Sequence, residues 1–162
     1  MNLAVSWVER FASLVPEGAV VLDVACGQGR HTRFFLDRGH PVVAVDRDLT
    51  GIDDVQDDSR VEARELDLET GEPFPLRGRT FGGVVVTNYL HRPILAGLVS
   101  TVARGGVLIY ETFARGNERL GHPVRPEFLL EPGELLEAVR GILRVVAYED
   151  TIVDTPRPAA VQ

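Results

Sequence analysis

Cysteine is almost absent from this 162-residue chain: Cys26 stands alone. One thiol excludes an intrachain disulfide and a cysteine-based zinc cluster, and it fits a reducing cytoplasm. No metal site is expected. A basic surplus is missing as well. The chain carries 17 basic against 24 acidic residues, a net charge of −7, and its arginines are scattered. Nucleic-acid binders concentrate positive charge on one face. The expected partner is therefore a small molecule rather than a nucleic acid. Long apolar runs are lacking too. The opening stretch MNLAVSWVERFASLVPEG has no basic leader, and Glu9 and Arg10 interrupt it. It reads as neither a signal peptide nor a membrane span, so a cytoplasmic protein is expected. What remains is 44% hydrophobic and 25% charged, an ordinary globular composition of single-domain length. The assembly is left as monomer or homodimer.

The apolar pattern alternates between two kinds of segment. Residues 2–15 place Ala4, Val8, Phe11 and Val15 at helical spacing, with Leu3, Trp7 and Leu14 alongside. Residues 19–25 (AVVLDVA) and 41–46 (PVVAVD) are continuous β-branched runs, the mark of strands buried on both faces of a parallel sheet. Residues 60–68 alternate and are more polar, as an edge strand should be. Residues 81–90 and 105–113 predict a fourth and a fifth strand, and 143–153 a last one. Helices are predicted after the first strand, with Phe34 and Phe35 inward, around 93–103, and in GELLEAVRG. Residues 114–131 form a long irregular connection, and Phe113, Asn117, His122 and Phe128 on or beside it are lid candidates. Strands alternating with helices predict a doubly wound α/β sheet in one domain. Ligands then sit at the carboxyl ends of the strands.

Chemistry concentrates at those ends. The first strand runs into a glycine turn, LDVACGQGRHT. Gly27 and Gly29 allow tight turning and close ligand approach. The dinucleotide fingerprint would place a third glycine where Thr32 stands. Asp23 lies inside the strand, and a buried carboxylate is costly without partners. It either braces the turn or receives an ammonium group through water. Asp46 closes the second strand, where an acidic side chain accepts both ribose hydroxyls of a nucleotide or caps the next turn.

The stretch VLDVACGQG resembles the first motif of class I S-adenosylmethionine-dependent methyltransferases, hydrophobic-x-Asp-x-x-x-Gly-x-Gly. Across the whole chain the resemblance is to small bacterial members of the tellurite-resistance-like group. It carries a helix such as WVERF before the motif and a YETF…GN stretch after the fifth strand. The resemblance implies S-adenosylmethionine as cofactor and a Rossmann-like fold. It implies that Asp23, Ala25, Cys26, Gly27 and Gly29 cradle the methionine part. Asp46 would meet the ribose, Asp67 the adenine amino group, and Leu68 the ring, with Arg47 and Asn88 further cofactor neighbours. Cys26 is read as a small residue the motif requires. In the family an antiparallel strand lies beside the fifth. Here that strand is expected to be missing or to pair differently.

Methyl transfer needs alignment more than acid–base help, and a base only where the nucleophile must lose a proton. His91 and Tyr89, after the fourth strand, and Tyr110, in the fifth, are the catalytic candidates. His31 is read as structural or adjacent to the cofactor, and Glu111 as a site for a cationic substrate or a partner of Arg92 or Arg115. The alternatives are a non-catalytic S-adenosylmethionine-binding module and, against the evidence of Thr32, a nicotinamide-dependent oxidoreductase.

Overall fold

The computed structural model describes residues 4–162. Asn2 and Leu3, the start of the predicted first helix, lie outside them. Five strands build the central sheet: β1 (Val21–Val24), β2 (Val42–Asp46), β3 (Val61–Glu65), β4 (Phe81–Thr87) and β5 (Val102–Glu111). They pair in the order β3-β2-β1-β4-β5, every pair parallel. Order reverses between β1 and β4, which opens a crevice at their carboxyl ends. Alternate residues feed two cores. Leu22, Val24, Val84 and Val86 face one side, where they pack with Ile94 and Leu98. Val21, Ala44, Val85 and Ile109 face the other, with Val8, Phe35 and Ile52. This double burial is why β1, β2 and β4 read as continuous apolar runs.

Helices α1 (Ser6–Phe11) and α2 (Arg30–Asp37) cover one face; α3 (Leu95–Ser100) and α4 (Glu134–Val139) belong to the other. In α2 the buried side chains are His31, Thr32, Phe35 and Leu36, two pairs at the i, i+4 spacing of one helix face. Phe34 is only half-buried, and the Arg38 guanidinium lies 3.6 Å over its ring. Gly39, at φ 85°, ends the helix in the left-handed conformation that glycine adopts without strain. No helix among the described residues is long and apolar enough to cross a membrane.

Several predicted bounds shift for identifiable reasons. β4 stops at Thr87 rather than Leu90, because Asn88 turns left-handed at φ 53°. β5 starts earlier, at Val102, and absorbs a register shift opposite Phe81 and Gly83. Of residues 143–153 only β6 (Thr151–Val153) is a strand. The rest of that run pairs with no strand among the described residues, the Leu143 N–H donating instead to the Val139 carbonyl at 3.0 Å, and its Val145 and Val146 are exposed.

The expectation that the last antiparallel strand is missing is corrected. β7 (Ala159–Val161) pairs antiparallel with β6. It also lies antiparallel on the run-on of β5. Thr112 and Gln162 exchange both backbone bonds at 3.0 Å, and the Ala114 N–H donates to the Ala160 carbonyl at 2.9 Å.

The long connection is pinned through one side chain. Asn117 is fully buried. Its amide nitrogen donates to the carbonyls of Pro123 (2.9 Å) and Gly121 (3.3 Å), and its oxygen accepts the Ala160 N–H at 3.3 Å. Leu129 and Leu130, farther along, are fully buried as well. Asn117 is thus a brace between the connection and β7, and Phe128 beside it is exposed. Asn117→Ala strands two carbonyls and one N–H, and a buried group left unpaired costs about 1–3 kcal/mol. Urea unfolding of the variant is expected to show a loss of at least about 2 kcal/mol; a loss within measurement error would refute the brace.

Candidate active site

At the carboxyl ends of the central strands the backbone turns left-handed repeatedly. Ala25, Gly27 and Gly29 follow β1 at φ 52°, 51° and 68°. Among the described residues only Ala25 and Asn88 are non-glycines with positive φ. They sit just past Val24 and past β4, on neighbouring strands. Such conformations cost roughly 1–3 kcal/mol each and persist where surrounding structure imposes them.

Here the imposition is visible. The Cys26 N–H donates to the Val45 carbonyl at 3.0 Å, the Gly27 N–H to Asp46 Oδ2 at 2.8 Å, and the Gly29 N–H to the Cys26 carbonyl at 2.8 Å. Asp46 Oδ1 accepts the Asp48 N–H at 3.1 Å. One carboxylate therefore braces the glycine turn and shapes the turn after β2, while keeping acceptor capacity. From α2, Arg33 donates to the carbonyls of Gln28 and Gly51, the second at 2.9 Å, and pairs with Asp54. The two loops touch so closely that a Cβ on Gly51 would lie 2.2 Å from the Gly27 carbonyl oxygen. A Cβ on Gly29 would lie 2.3 Å from Ile52 Cγ2. Gly27, in contrast, faces open space.

Beneath the turn, Asp23 is 2% exposed and accepts the Thr32 hydroxyl at 2.7 Å. Burial raises its carboxyl to about 6, even against the Thr32 bonds. The residue standing in place of a third glycine is therefore the partner that makes the buried acid tolerable. Cys26 is buried and its thiol is pushed up to about 12, chiefly by burial, so it stays protonated at neutral pH.

Toward β3 the acids continue. Asp67 is exposed, with Oδ1 accepting the Glu69 N–H at 2.8 Å, and Leu68 is buried beside it. Arg47 and Asn88 are exposed at the same edge. Tyr89 packs against the core that holds Leu66 and Leu68. Its phenol lies above the ordinary value through burial first, then the nearby carboxylates of Glu69, Asp67 and Asp46. The Tyr89 hydroxyl and His91 Nε2 are buried without a partner among the described residues.

Tyr110 is placed differently from its reading as a catalytic candidate. It is buried in the core with Val86 and Leu98, and its hydroxyl donates to the Tyr89 carbonyl at 2.8 Å. Strand alternation turns it away from the face that carries Glu111. It fastens the loop after β4 instead.

His31 links three elements. Its Nε2 accepts the Val5 N–H at 3.2 Å, and its Nδ1 lies 3.4 Å from the Thr87 hydroxyl. Burial, then the Arg30 charge, lowers its pKa to about 4, so the ring is neutral. Glu111 is opposite Thr87 in the β4–β5 ladder and shares its face. Neither expected arginine pairs with it: Arg92 forks onto Glu134 and Arg115 meets Glu131. Sequence reading missed Arg33 and Gly51. Nothing local marks them, since both act on a loop that is distant in the chain. Among the described residues no cluster of His, Cys, Asp and Glu is arranged to hold a metal ion.

A twisted parallel sheet with a braced glycine turn and an acid ending β2 defines a Rossmann-like nucleotide-binding fold. Residues 21–106, more than half of the chain, match a family model described as a methyltransferase domain, and the chain belongs to that family. No curated protein matches it in sequence. Among solved structures, TehB from Haemophilus influenzae superposes with a TM-score of 0.78 at 15% identity, over 99% of this chain and 61% of its own. A TehB-like SAM-dependent methyltransferase from Corynebacterium glutamicum gives 0.61 at 23%, over 85% and 71%. The 1,6-didemethyltoxoflavin-N1-methyltransferase of Burkholderia thailandensis, solved with 1,6-didemethyltoxoflavin and S-adenosylhomocysteine, gives 0.64 at 26%, over 83% and 64%. Coclaurine N-methyltransferase is also similar, and the chain spans 34% of its length.

Asp23 sets a pH dependence. Its folded pKa of about 6 exceeds the ordinary 3.8, so the native state holds the proton more tightly. Its contribution to stability falls as pH rises from about 4 to about 6, by up to about 3 kcal/mol. The stability of Asp23→Asn relative to the parent should therefore climb across that window. Urea titrations at several pH values that gave a constant difference would contradict the buried, perturbed acid.

Proposed function

We propose that this chain transfers the methyl group of S-adenosylmethionine to a small-molecule acceptor. The observation that carries the reading is the Gly27–Asp46 bond: one acid at the end of β2 holds a left-handed glycine turn whose outer side is open. The fit to the cofactor rests on the same features. Gly27 leaves a cradle that a Cβ would fill, Asp46 has lone pairs to spare for ribose hydroxyls, and Leu68 offers apolar surface for a base. Asp67 would accept the exocyclic amino group. The Ala25–Gly29 backbone would hold the amino-acid end over Asp23, with Arg47 and Asn88 at the rim.

When bound, this cofactor supplies a methyl group already activated by a sulfonium. The protein then has to hold the acceptor in line and keep water out, alignment worth roughly 7–11 kcal/mol. His91, with a buried and unpartnered Nε2, and Tyr89 would border the bound cofactor from the loop after β4. Thr32, bonded to Asp23, argues against nicotinamide, whose pyrophosphate is seated beside a third glycine. The single buried cysteine supports a cytoplasmic setting.

Calorimetry should show S-adenosylhomocysteine binding at micromolar affinity. Asp46→Ala should weaken it about 10- to 100-fold, as expected for loss of hydrogen bonds to a charged acceptor. Gly51→Ala touches no ligand, yet should weaken binding by displacing the turn. A folded parent protein that binds neither S-adenosylhomocysteine nor S-adenosylmethionine would end the proposal.

A further inference from the structure

A second cavity of about 140 Å³ lies between α1, the end of β5 and the β6–β7 hairpin. Ser6, Trp7, Arg10, Glu111, Glu149 and Gln162 contribute to its walls. We propose that it is the acceptor pocket, and that it takes a small molecule held by a protonated amine; that nitrogen has no lone pair, so the methyl is received by another nucleophilic atom of the same molecule. The proposal rests on the methyltransferase reading above and names the substrate class of that site.

Location is the first ground. Glu111 sits level with Thr87 on the neighbouring strand, and its carbonyl accepts the Asn88 N–H at 3.0 Å. The cavity therefore opens at the same sheet edge as the glycine turn, on the β5 side of it.

The second ground is an imbalance of hydrogen-bonding groups. Glu111 is half-buried, and its carboxylate makes no hydrogen bond or ion pair among the described residues. Gln162 is 6% exposed. Its Nε2 donates to the Glu131 carbonyl at 2.9 Å and to Asp150 Oδ2 at 3.3 Å, while its Oε1 is buried with no partner. The walls thus present acceptors that lack donors. Arg10 does not fill the need: its Nη1 is engaged by Glu149 at 2.9 Å, and its guanidinium lies 4.9 Å over the Phe11 ring. Burial holds the Glu111 carboxyl above its ordinary value although the Arg30 charge lowers it, a cost that a bound cation relieves further.

The third ground is the aromatic wall. Trp7 packs against the carbons of an alkylammonium, the Arg10 guanidinium lying 5.7 Å from its ring centroid, and the N–H groups match Glu111 and the Gln162 oxygen. A carboxylate would meet the like charges of Glu111 and Glu149, with Ser6, Thr151 and Arg10 as the donors in the walls. A neutral alcohol would leave the Glu111 charge unanswered.

Trp7 is the only tryptophan in the chain; it lines this cavity and also a larger one of about 600 Å³, so Glu111→Gln is what assigns a response to this site. Three probes that share a saturated six-membered ring and differ in charge decide the matter on the full chain: piperidinium, cyclohexanol and cyclohexanecarboxylate. Piperidinium should change the Trp7 fluorescence saturably and cyclohexanecarboxylate should not, with cyclohexanol weak. Glu111→Gln should cut piperidinium affinity by at least about tenfold, the loss of a charge-assisted bond. Equal response to all three probes, or undiminished binding in Glu111→Gln, overturns the proposal. S-adenosylhomocysteine is titrated separately. Failure there strikes the methyltransferase reading, whereas failure of piperidinium in protein that binds S-adenosylhomocysteine strikes this inference alone.

Discussion

A single buried hydrogen bond, from the Thr32 hydroxyl to Asp23, fixes the geometry on which the site depends. It joins the middle of β1 to the first turn of α2 across the glycine loop. With both ends held, the chain between them has only five residues, 25–29, in which to reverse. It does so by going left-handed at three of them. The outward-facing turn is the result of that confinement. A carboxylate at this depth would be prohibitively expensive without a donor. A glycine at position 32 would keep the backbone N–H that also reaches Asp23 but not the hydroxyl donor. The departure from the dinucleotide pattern and the presence of Asp23 are therefore one feature seen twice.

The turn is also held from outside. Asp46 accepts the Gly27 N–H from the neighbouring strand, and Arg33 gathers carbonyls from the glycine loop and from the loop after β2. The exposed Arg33–Asp54 pair adds little by itself, since surface ion pairs contribute about 0–1 kcal/mol. Its value is positional: it keeps Arg33 spread across two loops. Gly51 completes the lock, because no side chain fits where its Cα passes the Gly27 carbonyl. The site is thus rigid before any ligand arrives, the condition under which hydrogen-bond donors act without reorganisation cost.

Much of this was legible in the sequence, and the boundary of legibility has a physical cause. Burial on both sheet faces writes itself as continuous Val-rich runs, so β1, β2 and β4 were plain. The glycine turn and the acids ending β2 and β3 were legible because strand ends and turns are local. Residues 143–150 show the opposite case. Their β-branched content suggests a strand, but a strand needs a partner, and partners are not local. Gly51 and Arg33 escaped for the same reason, each mattering through a segment 18 or more residues away. Tyr110 was misjudged by face: a one-residue step along β5 separates a core side chain from one that borders the site.

That one-residue step divides the end of the β4–β5 pair into two different surfaces. On the Tyr110 side the hydroxyl closes onto the Tyr89 carbonyl, and Arg92 secures the following turn to Glu134 and to the carbonyls of Glu127 and Leu129. The Tyr89 hydroxyl and His91 Nε2 are the groups there that stay unpartnered among the described residues. On the Glu111 side the groups are Thr87, His31 and Glu111 itself, and the balance is incomplete. His31 gives its one acceptor nitrogen to the Val5 N–H. Because burial keeps the ring neutral, that bond holds the start of α1 over the sheet edge at neutral pH. The N-terminal segment thereby becomes a wall of the cavity that Glu111 borders. The groups left open on the Glu111 side are a carboxylate and an amide oxygen, acceptors that a donor-rich molecule entering there would satisfy.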